Sequence, residues 1–375
     1  MRIAINTRFL IKDKMEGVGW HNYELCKTLV EQHPEDEFIF LFDRPFDQSF
    51  IFADNVKAVF LPPPARRPVL WYLWFEWALP AYFKWTKPDV FLSPDGYCSL
   101  RTKVPTVMIT HDIAYRHYPD QIPAWALKYN QRNVPRFLER ANRILTVSKF
   151  GREDILKHYN IDAAKVKVAP NALRGDFNPL SSEEKQAIKF AYADGQDYFF
   201  YLGAVHPRKN VHRLIKAFDH FKRATNAPVC LLIAGRFAWQ TGDIMEAFQA
   251  SEYQEDIQFL GYIPDEELPK VLGAAIALAY VSLFEGFGLP ILEAMHCEVP
   301  ILTSGVSAMP EVAGKAALLV DPLDTEAIAG GLKVLYEDKD LRQRLVEQGV
   351  LERQRYTWDE TARLIYESIE YLLNK

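Results

Sequence analysis

The chain has 375 residues, of which 49% are hydrophobic and 25% are charged, a composition typical of a globular protein with two ordinary domains. Its formal net charge of −5 argues against a protein that wraps nucleic acid. No uninterrupted apolar run is long enough to predict a membrane-spanning helix. The four cysteines, Cys26, Cys98, Cys230 and Cys297, lack metal-site spacing and predict buried, reduced thiols.

The first half of the chain alternates short apolar runs with helix-length segments. The first run predicts a strand, and the apolar core of a signal peptide does not follow it. Seven runs predict strands, namely RIAIN, EFIFLF, VKAVFL, DVFLS, TVMIT, RILTVS and KVKVA. Most are continuously apolar, which is typical of parallel strands covered on both faces. We therefore expect a cytoplasmic α/β protein.

An aromatic segment, residues 69–87, lies between the third and fourth predicted strands. Its apolar side chains recur at helical spacing between basic flanks, at Trp71, Trp74, Phe75, Ala78, Tyr82 and Trp85. Such a stripe is typical of a buried helix, although Pro80 interrupts it. Contact with a membrane surface or a lipid-linked acceptor is the alternative interpretation.

A polar, turn-rich stretch, VAPNALRGDFNPLSSEE, predicts a domain boundary near residue 170. Beyond it, six more runs predict strands, namely YFFYLG, VCLLIAG, IQFLGY, IALAYV, PILTS and ALLV. Thirteen strands are too many for one open sheet. We therefore predict two doubly wound, Rossmann-like domains, residues 1–170 and 171–356, followed by a last helix in residues 357–375.

Neither half carries the fingerprint of a common nucleotide-binding enzyme. The sequence GVG at Gly17 to Gly19 lacks a third glycine and a following acidic residue at the right distance, which argues against a dehydrogenase. A G-x-x-x-x-G-K-[ST] sequence is absent, which argues against a P-loop ATPase.

The loops after the predicted strands suggest a different ligand, because doubly wound sheets bind ligands beyond the carboxyl ends of their strands. HPRKN supplies the cations Arg208 and Lys209, and EGFGLP supplies backbone N–H groups at a helix N-terminus. Both suit a diphosphate, whereas the carboxylates of Glu285 and Glu293 suit vicinal hydroxyls. The combination predicts a nucleotide sugar held in a cleft between the two domains.

The stretch EGFGLPILEAM, which contains Glu285 and Glu293, resembles the Glu-x7-Glu motif of the family 4 retaining glycosyltransferases of the GT-B fold. Other segments resemble the family in the same order along nearly the whole chain: EGVGW, THDIAYRHYP, LTVSKFGREDI, YLGAVHPRKNVHRLIKAF, LLIAGR, FLGYIPDEELPKVL and MPEVAGKAALLVDP. The resemblance implies two Rossmann-like domains facing across a cleft. It also implies that the last helix crosses back onto the first domain.

The resemblance further implies catalytic roles. Lys209 would neutralise the leaving diphosphate with Arg208 beside it, and Glu285 would contact the donor sugar. Glu293 would hold the ribose, and His111 would reach a donor-sugar hydroxyl. The family implies neither a divalent metal nor any cofactor apart from the donor.

The remaining implied donor contacts come from glycines, main-chain amides and the loops near the base. They are Gly17, Gly19, Gly203, Gly235, Arg236, Tyr262, Ile263, Phe287, Gly288 and Leu289.

The sequence departs from the family pattern at three places. One is Ala172, which follows Asn171 where glycine is common and would stiffen the hinge. Ala204 and Val205 stand where many members carry an arginine, and Arg208 would supply that charge. Residues 296–298 read His-Cys-Glu where the family usually reads Ala-Cys-Gly. We therefore expect this helix to stop without its left-handed glycine, helped by Pro300.

The leading interpretation is a retaining transferase that moves a hexose, mannose being one candidate, from a nucleotide sugar to a glycan or lipid-linked glycan in surface polysaccharide biosynthesis. A catalytically inactive nucleotide-sugar-binding subunit and a GT-B epimerase or phosphorylase are the alternatives. UDP, GDP and ADP all remain candidates for the donor nucleotide. The protein is expected to be cytoplasmic, either free or peripheral at the inner face of the cell membrane, and not to bind nucleic acid.

Overall fold

The chain forms two compact units, each built on one parallel β-sheet. The computed structural model describes residues 1–12, 15, 17–65, 67–238 and 240–374. One unit comprises Met1–Arg174 and Thr357–Lys375, and the other comprises Gly175–Tyr356. The sheets have seven and six strands, which confirms the prediction of two Rossmann-like α/β units. The first boundary between the two units follows Arg174, whereas the sequence analysis predicted a boundary after residue 170.

The sheet of the first unit has the strand order β3-β2-β1-β4-β5-β6-β7, and all its strands are parallel. The order reverses between β1 and β4, which is where doubly wound sheets open a crevice. The strands are β1 (Arg2–Asn6), β2 (Glu37–Phe42), β3 (Val56–Phe60), β4 (Val90–Ser93), β5 (Thr106–Thr110), β6 (Arg143–Thr146) and β7 (Val166–Val168).

Helices cover both faces of this sheet. They are α1 (Gly17–Gln32), α2 (Pro68–Leu73), α3 (Leu79–Thr86), α4 (Ala114–His117), α5 (Ala124–Arg140) and α6 (Lys149–His158). Successive side chains of a strand point to opposite faces. Ile3 accordingly packs in the cluster that contains Leu25 of α1, and Ala4 packs in the cluster that contains Trp74 and Phe75.

The aromatic segment is one helical stretch in which a π-helical turn, Trp74–Ala78, joins α2 to α3. The wider turn accommodates Pro80, which has no N–H to donate to the preceding turn. Trp74 and Phe75 are buried in the core. Trp77 and Trp85 are 55% and 80% exposed, so only part of this segment belongs to the core.

The sheet of the second unit has the strand order β10-β9-β8-β11-β12-β13. Its strands are β8 (Asp197–Leu202), β9 (Val229–Ala234), β10 (Ile257–Gly261), β11 (Ala277–Tyr280), β12 (Ile301–Ser304) and β13 (Ala317–Val320), all parallel. The order reverses between β8 and β11, so the loops that follow these two strands begin side by side.

Eight helices flank this second sheet among the described residues. They are α7 (Ser182–Ala193), α8 (Val211–Thr225), α9 (Gly242–Gln249), α10 (Leu268–Gly273), α11 (Leu289–His296), α12 (Met309–Ala313), α13 (Thr325–Glu337) and α14 (Lys339–Glu352).

Helix α11 ends without a glycine. Glu298 itself adopts the left-handed conformation, with φ of 55°. Its N–H donates to the Met295 carbonyl at 3.3 Å, and the Val299 N–H donates to the Ala294 carbonyl at 2.9 Å, as in a Schellman motif. The helix therefore stops without a left-handed glycine, and Glu298 takes that conformation in its place. Arg353 contributes by donating to the Met295 carbonyl at 3.1 Å.

The last helix, α15 (Trp358–Leu373), belongs to the first unit. Trp358 Nε1 donates to the Leu173 carbonyl at 2.7 Å, and Tyr366 Oη donates to Asp36 at 2.6 Å. Ile365 is buried in the same cluster as the apolar face of α1. Within the described ranges, every helix is too short or too polar to traverse a bilayer. All four cysteines are buried free thiols, as predicted.

Candidate functional site

The predicted cations lie in a short 3₁₀ turn, Pro207–Lys209, between β8 and α8. His206 precedes this turn, and its Nδ1 accepts a hydrogen bond from the Arg208 backbone N–H at 3.3 Å. Pro207 has no N–H to satisfy and therefore suits the first position of the turn. The sequence HPRKN thus supplies a cap and a turn that fix the backbone beneath both cations.

Asn210 fixes the end of this turn. It is fully buried and left-handed, with φ of 64°, a conformation that asparagine tolerates better than most residues. Its Nδ2 donates to the Val281 carbonyl at 2.9 Å and to the Pro322 carbonyl at 2.7 Å. One amide group therefore holds the loop after β8 against the residue that follows β11.

The loop after β11 is hydrogen-bonded to its neighbours at two further points. The Leu283 N–H donates to the Arg208 carbonyl at 2.8 Å. The Glu285 N–H donates to Ser307 Oγ, in the loop after β12, at 3.1 Å. These backbone contacts bring the carboxylate of Glu285 to the cations.

Lys209, Arg208 and Glu285 form one ionic cluster. Lys209 Nζ lies 2.6 Å from Glu285 Oε1, and Arg208 Nη1 lies 3.5 Å from Oε2. Lys209 Nζ also donates to Tyr280 Oη at 3.2 Å, and Arg208 Nη1 donates to the Phe284 carbonyl at 2.6 Å. The structure thus unites three of the four residues predicted to be catalytic.

The electrostatics of the cluster favour an incoming anion. Burial alone would raise the pKa of Glu285, but the charges of Lys209 and Arg208 outweigh it and lower that pKa to about 2. Burial, with a contribution from Glu285, raises the pKa of Tyr280 well above its ordinary value, so its phenol is neutral. Two cations and one carboxylate leave the cluster with one net positive charge.

Helix α11 begins directly beyond this cluster. Gly288 precedes it with φ of 106°, which a residue with a side chain would adopt only under strain. The amides of Phe287, Gly288 and Leu289 therefore lie at or next to the positive end of the helix dipole. Glu293 is buried on the second turn of α11.

The residues predicted to surround the base lie at the carboxyl ends of β8, β9 and β10. A Cβ atom on Gly235 would lie 1.9 Å from the Gly203 carbonyl oxygen, so glycine alone permits the approach of these strand ends. Arg236 follows Gly235, and its carbonyl accepts a hydrogen bond from Val205 at 2.9 Å. After β10, Tyr262 is exposed and Ile263 is buried.

Two predicted glycines lie in the first unit, in the first turn of α1. A Cβ atom on Gly19 would lie 3.0 Å from the Phe9 carbonyl oxygen, whereas one on Gly17 would meet no atom of a described residue within 4 Å. Gly19 therefore allows α1 to start close to the loop after β1.

His111 follows β5 in the first unit. Its Nε2 donates to the Pro94 carbonyl at 3.1 Å, and its ring packs edge to face on His21 with centroids 4.8 Å apart. Burial lowers the pKa of His111, and burial with His111 lowers the pKa of His21 to about 3. His111 is therefore a neutral imidazole with a lone pair on Nδ1.

The sequence did not indicate three contributors to the ionic cluster: Tyr280, Ser307 and Asn210. Asn210 could have been found, since an asparagine between a turn and a helix often marks a left-handed position. Tyr280 ends a buried strand and Ser307 lies in a distant loop, so only the three-dimensional contacts identify them.

A buried ion pair at the strand reversal of the first unit was also missed. Arg8 Nε lies 2.5 Å from Asp95 Oδ2, and Asn6 Nδ2 donates to the same oxygen at 2.7 Å. Arg8 also lies over the ring of Tyr97, 5.0 Å from its centroid. The pair joins the loops after β1 and β4.

Comparison with known proteins gives one family model for each unit. The family model described as glycosyl transferases group 1 matches residues 182–351, and the one described as glycosyltransferase family 4 matches residues 15–174. The chain is 32% identical over 372 residues to O-antigen chain mannosyltransferase B of Escherichia coli, covering 93% of this chain and 94% of that protein.

Two further similarities concern a second transferase and a solved structure. The chain is 29% identical over 286 residues to O-antigen chain mannosyltransferase RfbU of Salmonella typhimurium, with 74% of each protein covered. Sucrose-phosphate synthase from Thermosynechococcus elongatus superposes with a TM-score of 0.79 at 18% identity, covering 100% of this chain and 99% of that one. At that identity the superposition shows the fold alone.

Proposed function

The chain belongs to the family 4, or group 1, glycosyltransferases of the GT-B fold, and from this premise we propose that it transfers a hexose from a nucleotide sugar to a glycan or lipid-linked glycan. Mannose is the first candidate, because two similar proteins are named O-antigen chain mannosyltransferases. The same similarity supports a role in surface polysaccharide biosynthesis. The observation that carries the proposal is the cluster of Lys209, Arg208 and Glu285 where the strand order reverses.

In this proposal the donor diphosphate binds to Lys209 and Arg208. A diphosphate oxygen that reaches Lys209 Nζ shares this cation with Glu285, whose carboxylate can then accept a hydrogen bond from a sugar hydroxyl. Charge-assisted bonds to phosphate contribute about 1.5–3 kcal/mol each. Glu285 therefore holds both cations in position before the donor arrives and holds the sugar afterwards.

The rest of the donor would follow the strand ends of the second unit. The amides at the start of α11 suit phosphate or sugar oxygens. Glu293 suits the ribose hydroxyls, as the family resemblance implies. Arg236, Tyr262 and Ile263 lie in the loops after β9 and β10, where the base is proposed to bind.

The proposed chemistry retains the configuration at the anomeric carbon. The acceptor hydroxyl attacks that carbon from the side of the leaving group, and the bond to the diphosphate breaks as the new glycosidic bond forms. The departing phosphate oxygen takes the proton of the acceptor hydroxyl. Lys209 and Arg208 stabilise the charge on that oxygen, so the reaction needs no divalent metal. Neutral His111 would accept a hydrogen bond from a donor-sugar hydroxyl at Nδ1.

We also propose that the exposed part of the aromatic segment contacts the inner face of the cell membrane, where a lipid-linked acceptor would be found. Tyr72, Trp77 and Trp85 are 52%, 55% and 80% exposed. Lys84 and Lys87 are exposed on the same segment, and Arg101 lies 4.1 Å from the centroid of the Trp77 ring. Exposed tryptophans beside basic residues are typical of interfacial contact with anionic lipid.

A panel of nucleotide sugars tests the proposed function. The purified chain is screened with GDP-, UDP- and ADP-linked hexoses for thermal stabilisation and for release of the nucleotide diphosphate. We expect one donor to stabilise the protein by mass action and to be turned over. Lys209→Ala should lower turnover by about 10²–10³, whereas Lys333→Ala on α13 should leave it unchanged.

Other outcomes would favour the alternatives. Binding of a donor without any turnover, even with glycan acceptors, would indicate an inactive binding subunit. Interconversion of sugars or phosphate-dependent cleavage would indicate an epimerase or a phosphorylase.

A further inference from the structure

Two histidines and an aspartate meet in the first unit, outside the residues assigned above. His117 is the last residue of α4, and Asp154 and His158 lie on α6. A ligand atom of each side chain lies within 4.8 Å of a ligand atom of the other two. Imidazole nitrogens and carboxylate oxygens are the common ligands of zinc in proteins, apart from thiolates.

The distances within this cluster are short. His117 Nε2 lies 3.0 Å and 2.8 Å from the two carboxylate oxygens of Asp154. His158 Nδ1 lies 3.0 Å from Asp154 Oδ1 and 2.9 Å from the Asp154 backbone oxygen. The spacing of four residues places Asp154 and His158 on one face of α6. The two imidazole rings are 5.1 Å apart between centroids.

Contacts outside the cluster hold α4 against the end of α6. Tyr115 Oη lies 2.5 Å from Tyr159 Oη. Arg116 lies over the ring of Tyr159, 5.6 Å from its centroid. Because Tyr115 and Arg116 directly precede His117 on α4, these contacts fix the backbone that presents His117 to Asp154. The three side chains are therefore arranged by the fold and do not depend on their own hydrogen bonds alone.

The cluster also has access to solvent and space for further ligands. Asp154 is buried, whereas His117 and His158 are partly exposed. Both histidines line a cavity of about 570 Å³, to which Arg116 and Gln131 also contribute. Sites with three protein ligands keep an open position for water or another small ligand, and this cavity provides room for it.

We propose that His117, Asp154 and His158 bind a divalent transition-metal ion, for which Zn²⁺ is the best match. Ligand atoms at zinc distances in a tetrahedron are about 3.3 Å apart. The imidazole–carboxylate separations of 2.8–3.0 Å need to open by only a few tenths of an ångström. The ion would replace the N–H···O contacts between the side chains and the one from His158 Nδ1 to the Asp154 backbone oxygen, with release of both imidazole protons to solvent, and would cross-link α4 to α6.

Such a cross-link would also brace the loop after β5. The Ala114 N–H at the start of α4 donates to Asp112 Oδ1 at 2.9 Å, and Asp112 follows His111 directly. The metal would therefore limit the motion of the segment between His111 and His117. This inference concerns metal binding and does not depend on the proposed transferase function.

A second group of potential ligands, His33, Glu35 and Asp36, provides a control. Its groups are already engaged, because the Met1 ammonium and Tyr366 Oη both bind Asp36. His33 stacks on the ring of Tyr366, with centroids 3.4 Å apart. We expect this group to bind no transition metal, and His33→Ala to leave metal binding unchanged.

The test uses the full chain after treatment with a chelator. Zn²⁺ is titrated in competition with a chromophoric chelator, and Co²⁺ is added separately to record its visible absorption. We expect one equivalent of metal, a Co²⁺ spectrum with nitrogen and oxygen ligands, and a rise in Tm with Zn²⁺. His117→Ala and His158→Gln should each weaken binding by about tenfold or more.

His117→Ala and His158→Gln are chosen so that a loss of metal binding is not caused by a failure to fold. His117 is partly exposed and its removal should not prevent folding, which circular dichroism checks, while His158→Gln keeps a polar side chain of similar length. Absence of stoichiometric Zn²⁺ binding to the wild-type chain would overturn the proposal. Binding that survives both substitutions, or that is lost in His33→Ala alone, would overturn it equally.

Discussion

Lys209 and Glu285 form an ion pair, with Nζ 2.6 Å from Oε1, that joins the loops after the neighbouring strands β8 and β11. The two side chains are only 16% and 9% exposed. Removing one partner of a buried pair leaves an unpaired charge in a poorly solvated position. The pair therefore contributes to folding as well as to the proposed binding of the donor, and the two contributions can be separated.

We expect Lys209→Met to lower the rate of sugar transfer by about 10²–10³, the usual effect of losing one stabiliser of transition-state charge. The same substitution should destabilise the second unit by about 3 kcal/mol, because Glu285 loses its nearest cation. The double variant Lys209→Met/Glu285→Gln should recover much of the stability but none of the rate. Urea unfolding and donor turnover measure the two effects, with Lys333→Met as the exposed control. Recovery of turnover in the double variant would contradict the assigned role of Lys209.

The ion pair also predicts how stability depends on pH. Burial opposes ionisation of Glu285, but Lys209 and Arg208 lower its pKa from 4.5 to about 2 in the folded protein. The stabilisation is therefore complete above a pH of about 4.5 and is lost as the pH falls towards 2. Unfolding free energies measured across this range should fall more steeply for the wild type than for Lys209→Met. Parallel pH profiles would show that Lys209 does not set this pKa.

Glu293 should affect binding of the donor more than the chemical step. Glu293→Gln preserves the size of this buried side chain on α11 but would weaken the hydrogen bonds to ribose hydroxyls that we propose for it. We expect KM for the nucleotide sugar to rise about tenfold with kcat little changed. Glu337→Gln, on the exposed side of α13, is the matched control. A fall in kcat without a change in KM would assign Glu293 a different role.

Much of the fold followed from the sequence because strand signals are local. Continuous apolar runs such as RIAIN and TVMIT coincide with β1 and β5, and the cations of HPRKN were placed correctly after β8. The positions of the motifs alone do not predict the ionic cluster. The contact between Lys209 and Glu285 depends on the adjacency of β8 and β11, which are far apart in the chain.

The end of α11 shows what the sequence left open. The helix stops without a glycine, but the sequence did not show that Glu298 itself takes the left-handed conformation, which two backbone hydrogen bonds and the distant Arg353 stabilise. Met295 and Arg353 are far apart in sequence, so no local pattern records their contact.

Glu298→Gly should stabilise the second unit. A left-handed conformation costs a residue with a side chain about 1 kcal/mol or more, and glycine avoids that cost. The lost contact with Arg353, at 3.7 Å between exposed groups, contributes little. We expect the free energy of unfolding to rise by about 1 kcal/mol, measured in urea. Glu298→Ala removes the same contact but keeps the strain, so it should show no gain, and an equal gain in both variants would contradict this explanation.

The exposed tryptophans predict binding to anionic membranes. We expect Trp77→Ser/Trp85→Ser to reduce sedimentation of the protein with vesicles that contain anionic lipid, without lowering Tm, since both side chains are largely exposed. Phe190→Ser, which removes an exposed aromatic residue from α7 of the second unit, serves as the control. Equal binding by all three proteins would rule out this surface as the membrane contact.

The division of the chain has a consequence for how the protein is made. The second unit is continuous in sequence, whereas the first lacks α15 until residues 358–373 have been synthesised. During translation the second unit can therefore complete its sheet while the apolar face of α1 still awaits Ile365 and its neighbours. The first unit is therefore the first to begin synthesis and the last to complete its fold. A nascent chain stalled before Thr357 should therefore expose that face to chaperones.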